Sequence, residues 1–320
     1  MTTYNASIEV YPHISRTTAI KRIEEIGRVC YKSEEKIKED SAEGFVRGLI
    51  KRGHTSVIEH ATFCVVIMED DLEEILGTVQ KLELLHGFRS YLRITNVVAP
   101  LVSGNARAWR NFFIACTKLG YSIPRACQVV IRGEPVLFAE WQEYVFTKPS
   151  SYPVRLFNTN ELTNHTERMV HHDFTVKFIC DRGVSHEFVR HRVAAMSQES
   201  TRYCNYSGDL GVVDLYSAFG FDRPGVTESY DIWKEAVRQC EENYSKMIAS
   251  GSKAEEARSV LINSTKTELV MTMNGAGWYN FIRLRNAKAA HPQAREQAEM
   301  LHGYFVEKAL WVLQPLEVEA

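Results

Sequence analysis

The chain has 320 residues, of which 45% are apolar and 24% charged, and its formal net charge is −2. These values are ordinary for a soluble globular protein and leave enough apolar residues for a sizeable core. They exclude a global basic field able to hold nucleic acid, so any phosphate ligand has to be held by a local cluster.

No apolar run approaches membrane-spanning length, and the opening MTTYNASIEV lacks a signal-peptide pattern. Seven cysteines (Cys30, Cys64, Cys116, Cys127, Cys180, Cys204 and Cys240) are scattered without a CxxC pair. That argues against a disulfide framework or structural zinc and for a reducing, cytoplasmic setting.

In chain order, Ser7 to Tyr11 predicts a short strand. From Thr17 to Tyr31, Ile20, Ile23, Ile26 and Val29 recur at helical spacing. Ser41 is expected to cap a second helix through Phe45, Leu49 and Ile50, ended by Gly53. His54, Ser56, Glu59 and His60 then read as a polar turn before a buried strand from Ala61 to Met68. Two histidines and a carboxylate so close admit a metal site, though not at zinc-helix spacing. A structural turn is the commoner arrangement, and a ligand-binding turn facing the Arg190 region is a third reading.

Asp70 to His86 reads as an acidic helix and Thr95 to Ser103 as a strand. Ser103 is the expected cap of a helix that packs Trp109, Phe112 and Phe113 in the core, with Arg107 and Arg110 on its solvated face. A helix-like stretch from Pro135 to Phe146 ends at the Pro/Ser break KPSSYPV.

HDFTVKFIC reads as a buried strand. It delivers the densest polar segment of the chain, DRGVSHEFVRHRVAAMSQESTRYCNY from Asp181 to Tyr206. Asp181 or Ser185 could cap a short helix carrying His186, Glu187, Arg190 and His191, and a Ser/Gln/Thr-rich loop follows Ala195. Three arginines, a histidine and several hydroxyls suit a phosphate joined to a polar ring or sugar, because guanidinium meets phosphate oxygens bidentately.

Ser207 to Pro224 reads as a loop, Ser229 to Ala249 as a long amphipathic helix and Lys253 to Leu261 as another. Thr267 to Met273 is an expected strand, ending at Asn274. Gly275 and Gly277 allow close backbone approach, Asn280, Arg283 and Arg285 follow on a helix, and a last helix covers Gln293 to Leu313.

There is no GxGxxG, GxxxxGK[ST] or G-x-S-x-G motif, and strands do not alternate regularly with helices. An α+β fold, an antiparallel sheet packed with helices in one domain over residues 1–320, fits better than a doubly wound sheet.

RHRVAAMSQESTRY resembles the signature of the flavin-dependent thymidylate synthases, the ThyX family: Arg-His-Arg, seven residues, Ser, then Arg-Tyr. GHTSVIEH resembles the family's upstream turn, EARSVL its helix with a substrate arginine, and NGAGWYNFIRLR followed by ARE its C-terminal block. The stretch from about 88 to 152 matches less and reads as a subfamily insertion.

The resemblance implies a ThyX-like fold and conversion of dUMP to dTMP, with bound FAD as hydride and methylene carrier, methylenetetrahydrofolate as carbon donor and NADPH as reductant. It also implies a homotetramer with sites between subunits. Ser56, Glu59, Arg190, His191, Arg192, Val193, Asn274 and Asn280 would hold the flavin. Glu187, Arg190, Gln198, Glu199, Ser200, Thr201, Arg202, Arg258 and Arg285 would meet dUMP. Arg285 and Ser200 would act in catalysis, Ser200 as a hydrogen-bonder of the substrate.

Three positions depart from the pattern that the family often shows. Ser197-Gln198 stands for Asn-Glu, Glu187 for Gln, and Ala276 for Arg. No cysteine sits beside an activating base, which suits a route without a thiol nucleophile. Two other classes remain: a non-catalytic nucleotide- or RNA-binding module using the Arg190–Arg202 cluster, and a metallohydrolase using His54, His60, His171 and His172.

Overall fold

The computed structural model describes residues 2–13, 19–145, 154–208, 210–214, 216, 218–220 and 224–316. Elements run in the order β1 (Thr2–Tyr4), β2 (Ser7–Val10), α1 (Ala19–Val29), α2 (Ser41–Lys51), β3 (Thr62–Val66), α3 (Glu69–His86), β4 (Arg93–Asn96), β5 (Pro100–Asn105), α4 (Ala106–Lys118), α5 (Gln128–Gly133), β6 (Arg155–Phe157) and α6 (His165–His171). They continue with β7 (Asp173–Asp181), α7 (Arg182–Phe188), β8 (Ala195–Gln198), β9 (Gly211–Val213), α8 (Val226–Ala249), α9 (Ala254–Ala257), β10 (Lys266–Asn274), α10 (Gly275–Arg285) and α11 (Pro292–Lys308). The architecture is α+β. No described helix is long and apolar enough to cross a membrane.

Where one domain is expected, the chain packs as two compact units. The first comprises Met1–Tyr11, Gly27–Glu35 and Thr175–Pro315; the second comprises Pro12–Ile26, Lys36–Phe174 and Leu316–Ala320.

In the first unit, β2, β7, β10 and β8 form a four-stranded sheet in that order, and β1 pairs in parallel with β9. The β2–β7 and β10–β8 pairings are antiparallel, with Ser7 opposite Ile179 and Val270 opposite Ser197. β9 lies inside the stretch expected to be loop. Its two valines are fully buried, and its glycine permits the close approach to β1: a Cβ on Gly211 would stand 2.9 Å from Cε2 of Tyr4. Behind the sheet, the rings of Phe178, Phe188, Trp278 and Phe281 pack edge to face and tilted, with centroids 4.9–6.3 Å apart. Such contacts add to the burial of large apolar surface.

The second unit is built on the sheet β4-β5-β3-β6. The single strand expected from Thr95 to Ser103 is a hairpin. Asn96 pairs with Pro100, and Val97 and Val98 lie exposed at the turn. Apolar residues run through this turn and hide it from pattern reading, while Pro100 takes the strand-initial place proline tolerates.

Two expected caps move. Asn105, not Ser103, caps α4, accepting from Ala108 N at 2.8 Å. Ser41 opens α2 as its first residue, and its hydroxyl donates to Glu24 Oε2 at 2.7 Å. Gly53, at φ +71°, ends α2 as expected.

Trp109, Phe112 and Phe113 are fully buried. Arg110 is buried too, against the expectation of a solvated face. It pairs with both carboxylate oxygens of Glu140 and stacks on Trp141 at 5.0 Å. Its long side chain can bury because the guanidinium is satisfied. The helix expected over Pro135–Phe146 is a 3-10 turn over Ala139–Tyr144, and KPSSYPV falls almost wholly outside the described residues.

Of the four histidines of the metallohydrolase reading, His54 is half-buried and His60, His171 and His172 lie in the second unit's interior. His171 lies between Ser103 Oγ at 2.7 Å and Thr95 Oγ1 at 2.8 Å, and His172 stacks on His13 at 4.9 Å. His60 is completely buried, and burial drives its pKa down to about 3. Arg93 forks onto Asp173 at 2.9 and 2.7 Å and adds the Val170 carbonyl at 2.9 Å.

Candidate active site

β7 runs into the polar segment as the sequence suggests. Of the two candidate caps, Asp181 serves: its Oδ1 accepts from Val184 N at 2.6 Å and opens α7. The helix ends at Phe188, so Arg190 and His191 lie beyond it. The expected loop after Ala195 begins as β8, laid against β10.

Arg285, at the end of α10, reaches back to this segment. Nη1 donates to Glu187 Oε2 at 2.8 Å, Nη2 to the Glu187 carbonyl at 2.6 Å, and Nε to His191 Nε2 at 2.9 Å. A guanidinium only donates, so Nε2 of His191 carries no proton and the ring is neutral. Burial, then the charge of Arg285, lowers the His191 pKa to about 4. The ring packs on Phe281 at 4.8 Å.

On either side of His191, Arg190 and Arg192 are exposed and have no ion-pair partner among the described residues. Val193 follows at φ +65° and 90% exposure. A β-branched residue held left-handed is strained, and such residues concentrate at functional sites.

Asn274 caps α10, accepting from Gly277 N at 3.0 Å. A Cβ on Gly277 would stand 3.0 Å from the Met273 Cβ, so glycine permits the strand-to-helix turn. Asn280 is exposed on α10 and accepts from Arg283 at 3.1 Å. Arg258 is exposed in the turn after α9.

Alternation along β8 divides the next residues. Ala195, Ser197 and Glu199 face inward, while Met196, Gln198 and Ser200 are partly exposed. Gln198 Nε2 donates to Ser185 Oγ at 2.9 Å and Thr267 Oγ1 at 3.2 Å. Ser200 Oγ accepts from Arg202 N at 3.2 Å, and Arg202 pairs with Glu255 at 3.2 Å on the surface. Thr201 is buried.

Glu199 differs from the expectation that it meets a ligand. It is 2% exposed, and its carboxylate accepts from Tyr206 Oη at 2.7 Å and pairs with Lys32 at 3.0 Å and Lys266 at 3.2 Å. Lys266 is shared with Glu268 at 2.5 Å. Lys32 and Lys266 escaped the sequence reading because only the tertiary fold brings them to Glu199.

Ser56 and Glu59 belong to the second unit. Both are half-buried, and Glu59 pairs with Arg107 at 2.7 Å. All seven cysteines are free and buried. Burial, then the Glu199 carboxylate, pushes the Cys204 thiol up to about 11, away from thiolate character.

Fold and site together define an α+β protein with a histidine-centred arginine cluster at the junction of a central segment and a C-terminal helix. A family model described as thymidylate synthase complementing protein matches residues 14–69 and 155–309. The chain belongs to that family. The flavin-dependent thymidylate synthase of Geobacter sulfurreducens is 35% identical over 127 residues, 38% of this chain and 50% of the relative. That of Thermococcus onnurineus is 27% identical over 168 residues, 51% and 67% of the two chains. The chain thus spans half of the first relative's length and two thirds of the second's. The crystal structure of a UMP/dUMP methylase PolB from Streptomyces cacaoi, bound with 5-Br dUMP, covers 98% of this chain and is covered to 95%. Its TM-score is 0.42 at 15% identity, too loose a likeness to build on.

Proposed function

We propose that the protein is a flavin-dependent thymidylate synthase. It methylates dUMP reductively to dTMP, taking the carbon from methylenetetrahydrofolate and reducing equivalents from NADPH. The observation that carries this reading is the junction of Arg285 with Glu187 and His191, residues up to 98 positions apart in sequence. Two separate blocks of the family pattern thereby form one cationic site.

The donor set fits FAD. Two exposed guanidinium groups, without an ion-pair partner among the described residues, flank a neutral imidazole, which suits a diphosphate. Arg190, His191, Arg192, Val193, Asn274 and Asn280 hold the cofactor. When bound, FAD supplies hydride chemistry and carries the methylene.

Glu187, Arg190, Gln198, Ser200, Thr201, Arg202, Arg258 and Arg285 receive dUMP, with Glu199 supporting them from behind. Arg285 stabilises the negative charge that builds on the pyrimidine ring. Ser200 hydrogen-bonds the substrate, since among the described residues neither an imidazole nor a carboxylate is bonded to its hydroxyl. The enzyme acts in the cytoplasm as a homotetramer, its sites completed between subunits. Residues 88–152 are a subfamily insertion, consistent with the gap in the family match between 69 and 155.

The test is an absorbance spectrum of the purified protein before and after dUMP is added. Flavin bands that shift with dUMP are expected. A protein that stays colourless when incubated with FAD and dUMP refutes the reading and favours a binding module without flavin.

A further inference from the structure

Lys32 lies in the turn after α1, in the first unit, and is one of two non-glycine residues at positive φ among the described residues. The other is Val193. Its φ is +47°, a conformation that L residues avoid. Its ammonium stands 3.0 Å from Glu199 Oε1 and 4.7 Å from the centre of the Tyr206 ring.

Both oxygens of the Glu199 carboxylate have a partner besides Lys32. Tyr206 and Lys266 already satisfy one oxygen each, at 2.7 and 3.2 Å. Lys266 is shared with Glu268, so Lys32 adds to the charge compensation, but its strained backbone and its bond to Glu199 also tie one turn to another. What they grip is the segment that follows. Ser200 N donates to the Cys30 carbonyl at 3.0 Å, and Tyr31 packs on Tyr203 with ring centroids 5.5 Å apart. Ser200 Oγ in turn holds Arg202 N. The turn over residues 30–32 thus meets the 199–203 segment by a main-chain bond, an ion pair and a ring contact.

We infer that Lys32 is a positioning residue for the dUMP-binding segment: through the buried Glu199 carboxylate it fixes where Ser200 and Arg202 stand. This rests on the proposed synthase reading. Lys32 does not touch the nucleotide; it acts through Glu199.

The test is the Lys32→Gly variant of the full chain. Glycine accepts the left-handed turn without strain but carries no ammonium. The expected result is an unfolding midpoint equal to or above the wild type, retained FAD, and about tenfold more dUMP needed for the flavin spectral shift, the size of effect that losing one such ion pair produces. Adding Lys32→Gly to Glu199→Gln should weaken dUMP no further, because both remove one link. Additive losses would mean that Lys32 touches the nucleotide directly and would overturn the inference. An unchanged dUMP titration, or a lowered midpoint with FAD lost in proportion, would overturn it as well. A wild-type protein that shows no dUMP response removes the synthase reading together with this one. A responsive wild type with an equally responsive variant removes this inference alone.

Discussion

Replacing Val193 by glycine should stabilise the protein while weakening its hold on FAD. Val193 sits at φ +65°, and holding a branched side chain there costs about 1–2 kcal/mol. The side chain is 90% exposed, so removing it gives up about a tenth of the burial energy of a valine, roughly 0.2 kcal/mol. Glycine frees the unfolded chain by about 0.5–1 kcal/mol, which opposes the gain. The balance is a stabilisation of about 0.5 kcal/mol, a rise in midpoint of roughly 1–2 °C. Val193→Ala, which retains Cβ and its clash, should gain less. Scanning calorimetry of the three proteins measures this, and flavin fluorescence quenching measures FAD affinity, expected to fall several-fold as the segment loses its preset backbone. A loss of about 1 kcal/mol or more in the glycine variant would show that Val193 is not strained and that its side chain packs on something; the reasoning would then fail.

Arg285→Lys keeps the charge but cannot reproduce the fork onto Glu187 and His191, so kcat/KM should fall by about 10²–10³; less than a threefold loss in steady-state assays would remove Arg285 from the chemistry. Burial, then the charge of Arg93, lowers the His171 pKa from 6.5 to about 4 in the folded chain. The unfolded chain therefore takes the proton first, and the contribution of His171, on the order of 3 kcal/mol, is whole above about pH 6.5 and lost as pH falls towards 4. Urea titrations at several pH values should show that slope shrink by one proton in His171→Gln, and an unchanged slope would contradict it. Arg93→Ala leaves Asp173 buried without its fork and should destabilise the protein by about 3–5 kcal/mol, read as a lowered urea midpoint. Asn274→Ala removes the α10 cap and should cost about 1 kcal/mol by the same measure.

Much of this molecule was legible from local signals. β7 and β10 read as strands from their apolar runs of β-branched, aromatic and methionine side chains, and Asp181 is one of two caps that the sequence offers for α7. The densest polar segment did prove to hold the arginine cluster, and Arg285 does meet it. The failures share a cause. The 95–103 hairpin was read as one strand because apolar residues run through its turn. β9 lies in a Gly- and Asp-bearing stretch that reads as loop, and its partner β1 lies more than two hundred residues away. The charge of Arg110 suggests a solvated face and the family resemblance places Glu199 against the ligand, yet each is buried against partners supplied by other parts of the chain. Charge alone does not tell a solvated residue from a compensated one.

The pairing of the first strands has a consequence for synthesis. β2 finds its partner only when residues 176–179 have been made, and β1 waits for residues 211–213. The second unit is drawn almost wholly from residues between 12 and 174, so its chain is nearly complete before either strand can pair. As the ribosome delivers the polypeptide, β1 and β2 therefore emerge long before the strands they pair with. Closing such long loops slows folding. A stalled or truncated product ending before residue 176 would leave two short strand edges open, a ready template for misassembly.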